Sequence, residues 1–368
     1  MSKVFEAYIA KANSPSEAFA RLWLPAQPYE LFDALDKVRL GDAAMYIEVN
    51  DFAAYGYLAP YISVDCNLLE LNALAQKLSE LDEWQSESFE GLVKMDVEKK
   101  DGSITMPRLI DLAYSADCCH FIPDVRSDTQ LGKFYVDNDF CPELDTLPES
   151  IYELLDYAKI GRDQRIAEGG AFTANGYVLQ DTELVEAFKD MVLIVRTPEY
   201  EILLELSDGS RMQLLRDTIP DNVIHTCLDC RIPSLMAAID AADIHDVAKF
   251  AAMFKPMGDK TMLKYKAMLE ATGCDSLEDA TALAAQLDEY VFEGRISSER
   301  ELAMDELKFM MSDEDAELLS GFTDLYGYGR AILLRDNSTI TPYGLVERTD
   351  HQPMQTQSEQ MDQGMEMM

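Results

Sequence analysis

Basic residues are scarce in this chain: 31 Lys and Arg stand against 68 Asp and Glu, a formal net charge of −37. That shortage argues against direct binding to nucleic acid or an anionic bilayer, since both call for stripes of Lys and Arg. Histidine occurs only at positions 120, 225, 245 and 351, which leaves little material for a general base or a metal site. No run approaches the roughly 18 apolar residues of a spanning helix. The opening Met1–Ala7 carries no apolar signal core, so a cytoplasmic location is expected. Seven cysteines, odd in number and irregularly spaced, fit reduced thiols better than a disulfide framework.

Catalytic motifs are missing as well. There is no Gly-x-Ser-x-Gly, no His-Glu-x-x-His and no Walker phosphate loop. The best metal hint is His225-Thr226-Cys227-Leu228-Asp229-Cys230, but a structural zinc wants a second ligand pair at similar spacing. Cys118-Cys119-His120 could offer one, yet a shift of 171 residues turns it into Glu289-Tyr290-Val291. The chain therefore reads as a non-enzyme: catalytic residues none, metal none, cofactors none.

What is present is enough apolar sequence, 48% of residues, to build cores in two or three domains. The chain also repeats itself. Asp156, Gly161, Arg162, Thr173, Gly176 and Val178 recur 168 residues later as Asp324, Gly329, Arg330, Thr341, Gly344 and Val346. Upstream, Leu112, Ala113, Asp117, Phe121 and Leu131 recur at 171 as Leu283, Ala284, Asp288, Phe292 and Leu302. Ser127 with Gln130, and Ser298 with Glu301, make the same helix-capping pattern in each copy.

Local patterns predict an α+β fold, an elongated tandem repeat of small antiparallel sheets and short helical bundles. Val4–Ala10 and Met45–Val49 alternate like strands, and Pro28 opens a helix with Leu31, Leu35 and Val38 on one face. Asn67 caps a helix whose apolar side runs from Leu68 to Leu81; Trp84, Phe89, Leu92 and Val93 mark a second and Pro107 starts a third. In the later half, Asp208-Gly209 makes a hairpin turn, Asp243 and Ser276 cap helices, and Gly273 stops one. The first copy spans residues 1–180: a sheet to about 65, helices over 66–137 and a closing α+β module over 138–180. The second spans 181–347, and 348–368 is expected to be a disordered tail.

Acidic residues cluster. Asp137, Asp139, Glu143, Asp145, Glu149 and Glu153 form one run; Asp181, Glu183, Glu186 and Asp190 fall at steps expected for one face of a helix from Asp181 to Lys189. Glu299, Glu301, Asp305 and Glu306 repeat the theme. Carboxylates one helical turn apart lie about 5 Å from each other. Duplex DNA carries one charge per about 1.7 Å of axis, so −37 matches on the order of 18 base pairs if it all faced one way. These 14 residues are the candidate partner-binding surface.

The motifs, in order, resemble the ArdA-type antirestriction family. They are Phe5-Glu6-Ala7-Tyr8-Ile9, Trp23-Leu24-Pro25-Ala26, Leu71 to Leu78, Leu109-Ile110-Asp111-Leu112, Leu131-Gly132-Lys133-Phe134-Tyr135 and Asp156-Tyr157 through Gly161-Arg162-Asp163. The resemblance implies a protein that imitates the shape and charge of B-form DNA and fills the DNA groove of a type I restriction-modification enzyme without catalysis. It also implies a dimer. The half from 191 to 347 looks like a diverged copy lacking the Trp-Leu-Pro patch, so it either replaces a partner subunit or binds a different target. The competing reading is an acidic binding module for another basic DNA-binding protein, such as a nucleoid protein, another defence nuclease or a mobile-element regulator.

Overall fold

A computed structural model of the chain describes residues 2–14, 18–39, 43–99, 102–142, 144, 152, 154–194, 196–214, 219 and 223–354. The fold is α+β. Helix α1 (Pro28–Val38) follows strands β1 (Phe5–Lys11) and β2 (Phe19–Leu24) and precedes β3 (Met45–Asp51). Next come α2 (Leu68–Glu80), α3 (Glu83–Lys99), α4 (Met106–Tyr114), β4 (Cys119–Pro123), α5 (Asp128–Asp137), α6 (Tyr157–Glu168), β5 (Ala171–Phe172) and β6 (Gly176–Gln180). The later half holds β7 (Ile202–Leu206), β8 (Arg211–Gln213), β9 (His225–Cys230), α7 (Met236–Ala241), α8 (Ile244–Ala252), α9 (Asp259–Thr272) and α10 (Leu277–Ala284). It closes with β10 (Tyr290–Glu293), α11 (Glu299–Met310), α12 (Asp313–Ser320), α13 (Leu325–Asp336), β11 (Thr339–Thr341) and β12 (Gly344–Arg348).

Sheet order repeats with the sequence. The described strands pair as β2-β1-β3 and β4-β6-β5, then as β8-β7-β9 and β10-β12-β11. The caps repeat too: Thr105 and Ser276 accept first-turn amides of α4 and α10, Ser127 and Ser298 those of α5 and α11, Asp156 and Asp324 those of α6 and α13. In each hairpin a threonine hydroxyl closes the turn, with Gly176 N 3.2 Å from Thr173 Oγ1 and Gly344 N 3.2 Å from Thr341 Oγ1. Such side-chain-to-backbone bonds replace ladder bonds that a tight turn cannot make.

The residues cluster into two compact units, Met1–Ala7, Trp23–Pro25 and Ile47–Ile194 in one, Tyr8–Leu22, Ala26–Tyr46 and Val195–Met368 in the other. Reading the chain as two successive copies does not contain this exchange. In the first unit, Leu71, Leu74, Phe89, Leu109 and Leu112 are fully buried where the periodicity placed them. Trp84 is not: it is 59% exposed. A five-residue step from Trp84 to Phe89 turns through about 500°, which takes the indole off the face of Phe89, Leu92 and Val93.

In the second unit a larger core gathers Ile202, Leu204, Leu235, Phe250, Phe254, Tyr265 and Met268. Helix α1 belongs here because its polar groups find their partners here. Tyr29 Oη donates to Tyr200 O at 2.6 Å, and Arg39 Nη1 donates to the carbonyls of Gly294 and Ile296 at 3.0 and 3.1 Å. The first residues of the expected tail are held by contacts. Thr349 N donates to Glu289 O at 2.8 Å, Asn337 Nδ2 donates to His351 O at 2.8 Å, and Met354 packs against the core. These contacts hold 349–354; residues 355–368 lie outside the described ones. No described helix is long and apolar enough to cross a membrane.

Candidate acidic interaction surface

The Asp181–Lys189 stretch was expected to carry its carboxylates on one helical face, and the backbone overturns that, while the run from Asp137 is described only at its start. Helix α5 ends at Asp137, Asn138 caps it through Nδ2 to Phe134 O at 2.8 Å, and Asp139 takes a left-handed φ of 60°. Glu143, Asp145, Glu149 and Glu153 lie outside the described residues. The stretch from Asp181 to Ala187 forms no helix, and only Phe188–Asp190 makes a short 3-10 turn.

The physical reason is a competition for amides. Asp181 N donates to Cys118 O at 2.9 Å, continuing the line of β6, and Val185 N donates to Ser115 Oγ at 2.8 Å. Phe188 N donates to Asp111 Oδ1 at 2.8 Å. A helix from Asp181 would need the Val185 and Phe188 donors for its own carbonyls. Side chains at the end of α4 claim them instead, and the segment runs irregularly across that helix with its acids outward.

The chemistry survives the change of backbone. Asp137, Asp139, Asp181, Glu183, Glu186 and Asp190 are all exposed. Among the described residues no ion pair joins any of the six to a basic side chain. Proximity in sequence suggests a pair between Arg162 and Asp156, but Arg162 turns to Asp128 at 3.6 Å alongside Arg165 at 2.9 Å, and Asp156 is the cap of α6.

The second unit's candidates differ. Glu301 accepts from Ser297 N at 2.6 Å, Asp305 lies 3.8 Å from Arg295, and Glu306 lies 3.0 Å from Arg335. Glu299 sits in the first turn of α11, where a negative charge complements the helix dipole. Exposed pairs of this kind add little stability, but they cancel charge locally. Of the candidate carboxylates, those of the first unit are exposed and free of ion pairs, whereas Asp305 and Glu306 are paired.

The Cys-x-x-Cys stretch is strand β9, centred on a bulge. Leu203 pairs with Asp229 and Leu204 with Cys227, so one extra residue is accommodated opposite β7. The bulge brings Cys227 and Cys230, three apart, opposite Leu204 and Ile202 on the core face. Cys230 Sγ donates to Ile232 O at 2.8 Å, and burial pushes its thiol well above the ordinary range. His225 Nε2 is 2.9 Å from Ile239 O. Among the described residues no group of three or more His, Cys, Asp or Glu could hold a metal ion.

Asp229 is what the sequence reading missed. It is 0% exposed, and its carboxylate accepts from Tyr29 N of α1 at 3.2 Å and from Tyr200 Oη at 2.8 Å. Burial raises it to about 6. The folded state therefore holds a proton that the unfolded chain has already released between about pH 4 and 6, so this group's contribution to stability falls as pH rises through that window. The full effect is at most about 3 kcal/mol. Asp229→Asn is expected to outlast the parent protein in thermal melts at pH 7, with the difference closing by pH 4; parallel pH profiles would show that Asp229 does not titrate there.

Comparison with known protein families and with characterised proteins returns no match for this chain.

Proposed function

We propose that this chain is a DNA mimic that inhibits a DNA-binding defence enzyme, a type I restriction-modification complex, by occupying its basic groove. The observation that carries the reading is the set of exposed, unpaired carboxylates at Asp137, Asp139, Asp181, Glu183, Glu186 and Asp190, on a chain with a net charge of −37. The order of motifs resembling the ArdA-type family supports the same reading. The mechanism is competition: carboxylates take the places of phosphates and release the counterions a basic groove would otherwise exchange with DNA. No bond is made or broken, and the inhibitor acts in the compartment where its target cuts DNA, the cytoplasm.

Purified protein is expected to displace DNA from the restriction complex, with an affinity that falls steeply as salt rises. Changing Asp181, Glu183, Glu186 and Asp190 together to amides should weaken displacement at 0.1 M salt by about tenfold or more and flatten the salt slope. The same change at Glu299, Asp305 and Glu306, which are paired or hold a helix start, should cost less than about threefold. Equal losses from both sets would remove the distinction between the units. Absence of any displacement, with capture of a different basic DNA-binding protein, would favour the general acidic-module reading.

A further inference from the structure

The first unit has a small cleft of about 230 Å³ between the start of α3, the turn Ala116–Cys118 and β4. We infer that it receives a guanidinium side chain of the basic partner, so that an arginine is read at one place and not merely attracted to an acidic surface. The inference rests on the reading of this chain as a ligand for a basic protein.

Three features specify the occupant. Trp84 lines the cleft 59% exposed, with the ring centre of Phe121 5.5 Å away at 85°. An exposed indole offers an electron-rich face, and its strongest polar partner is a weakly hydrated, planar cation. Two carboxylates flank it on a rigid frame. Asp82 Oδ1 accepts from Gln85 N at 2.8 Å, Gln85 Oε1 accepts from Asp82 N at 3.0 Å, and Gln85 Nε2 donates to Asp117 Oδ1 at 2.8 Å. Gln85 thus ties the two acids together, and among the described residues neither is paired with a cation. His120 is the only lining side chain among the described residues able to carry positive charge.

The size agrees. Cofactor and drug sites run to about 300–1,000 Å³; this cleft suits one side chain. Carboxylates exclude a phosphate or an acidic peptide. The second copy does not repeat the arrangement: Val291 stands at the position matching His120, and no tryptophan occurs beyond residue 84.

The test uses the full chain carrying Trp23→Phe, so that Trp84 is the only tryptophan, titrated with hexa-arginine and hexa-lysine peptides. Expected is a saturable change in Trp84 emission, with arginine bound about fivefold more tightly than lysine. Calorimetry on Trp84→Ala and Asp117→Asn should each show binding weakened about fivefold, while Trp84→Phe keeps most of it, which separates loss of the aromatic face from loss of fold. Arginine binding unaltered in both variants, equal binding of the two peptides, or unchanged Trp84 emission at saturation would each overturn the inference. DNA displacement that survives Trp84→Ala undiminished would overturn it while leaving the inhibitor reading intact. Arginine capture in the cleft without displacement of DNA would sink the inhibitor reading alone.

Discussion

Replacing Gly161 by valine is expected to cost the first unit about 3–5 kcal/mol and to melt its closing module ahead of the rest. The reason is a backbone contact between α5 and α6. A Cβ on Gly161 would lie 1.9 Å from Asp128 O and 2.7 Å from Gly132 N; one on Gly132 would lie 1.9 Å from Tyr157 O. These are main-chain atoms, so no rotamer change relieves the overlap, and the helices must move apart. Separation would break the Arg165–Asp128 pair at 2.9 Å and loosen Leu131 and Tyr177, each 0% exposed, in the cluster beneath. Even Gly161→Ala should destabilise, although alanine in an ordinary helix interior is about 1 kcal/mol better than glycine. That reversal of sign makes urea unfolding decisive: a neutral or stabilising alanine would mean the helices do not approach so closely. Gly329, whose Cβ would meet Glu299 O at 2.0 Å, should behave the same way in the second unit.

Gly161 also shows where a sequence speaks clearly and where it misleads. Its recurrence as Gly329 was visible, and so were the caps at Ser127, Asp243, Ser276 and Ser298, because a cap is a local event written in three or four consecutive residues. Its role was not visible. A repeated glycine in one motif with Thr173 and Gly176 suggests a turn, but Gly161 lies in mid-helix, and only the partner helix explains it. The Asp181–Asp190 segment failed for a related reason: three- and four-residue spacing looked helical, but the competing acceptors Ser115 and Asp111 are some 70 residues away in sequence. Spacing cannot report a rival for an amide that lies elsewhere in the chain. Charge fared better, since Glu183 and Asp190 stay exposed whatever their backbone does. Pairing did not, because Arg335 finds Glu306 only when α11 and α13 come together.

Removal of the Lys266 charge should destabilise the second unit by about 3–5 kcal/mol. This lysine is 4% exposed, with Nζ 2.8 Å from Asp33 Oδ1 and 3.0 Å from Asp36 Oδ2 of α1. Asp33 also accepts from Tyr343 Oη at 2.8 Å and pairs with Lys37 at 2.9 Å. Burial pushes the Asp33 carboxyl up, but the two lysines together pull it further down, to a net position below its ordinary value; Asp36, pushed up by burial, stays above its own. A depressed carboxyl contributes stability above its unfolded pKa and loses it as pH falls through the folded one. Lys266→Met keeps the apolar stem and removes the charge, leaving Asp33 with Lys37 alone. The penalty should therefore be largest at pH 7 and shrink below about pH 4, where Asp33 can take a proton. Because α1 reaches the second unit through Asp33, Asp36, Tyr29 and Arg39, the weakened variant should expose residues 26–46 to trypsin before the core around Phe250 opens. Adding Asp33→Leu should restore part of the loss, since an apolar side chain no longer needs the missing cation. If Lys266→Met costs less than about 1 kcal/mol, with 26–46 still protected, the apolar seat of α1 holds it unaided and the buried pair contributes nothing to its docking.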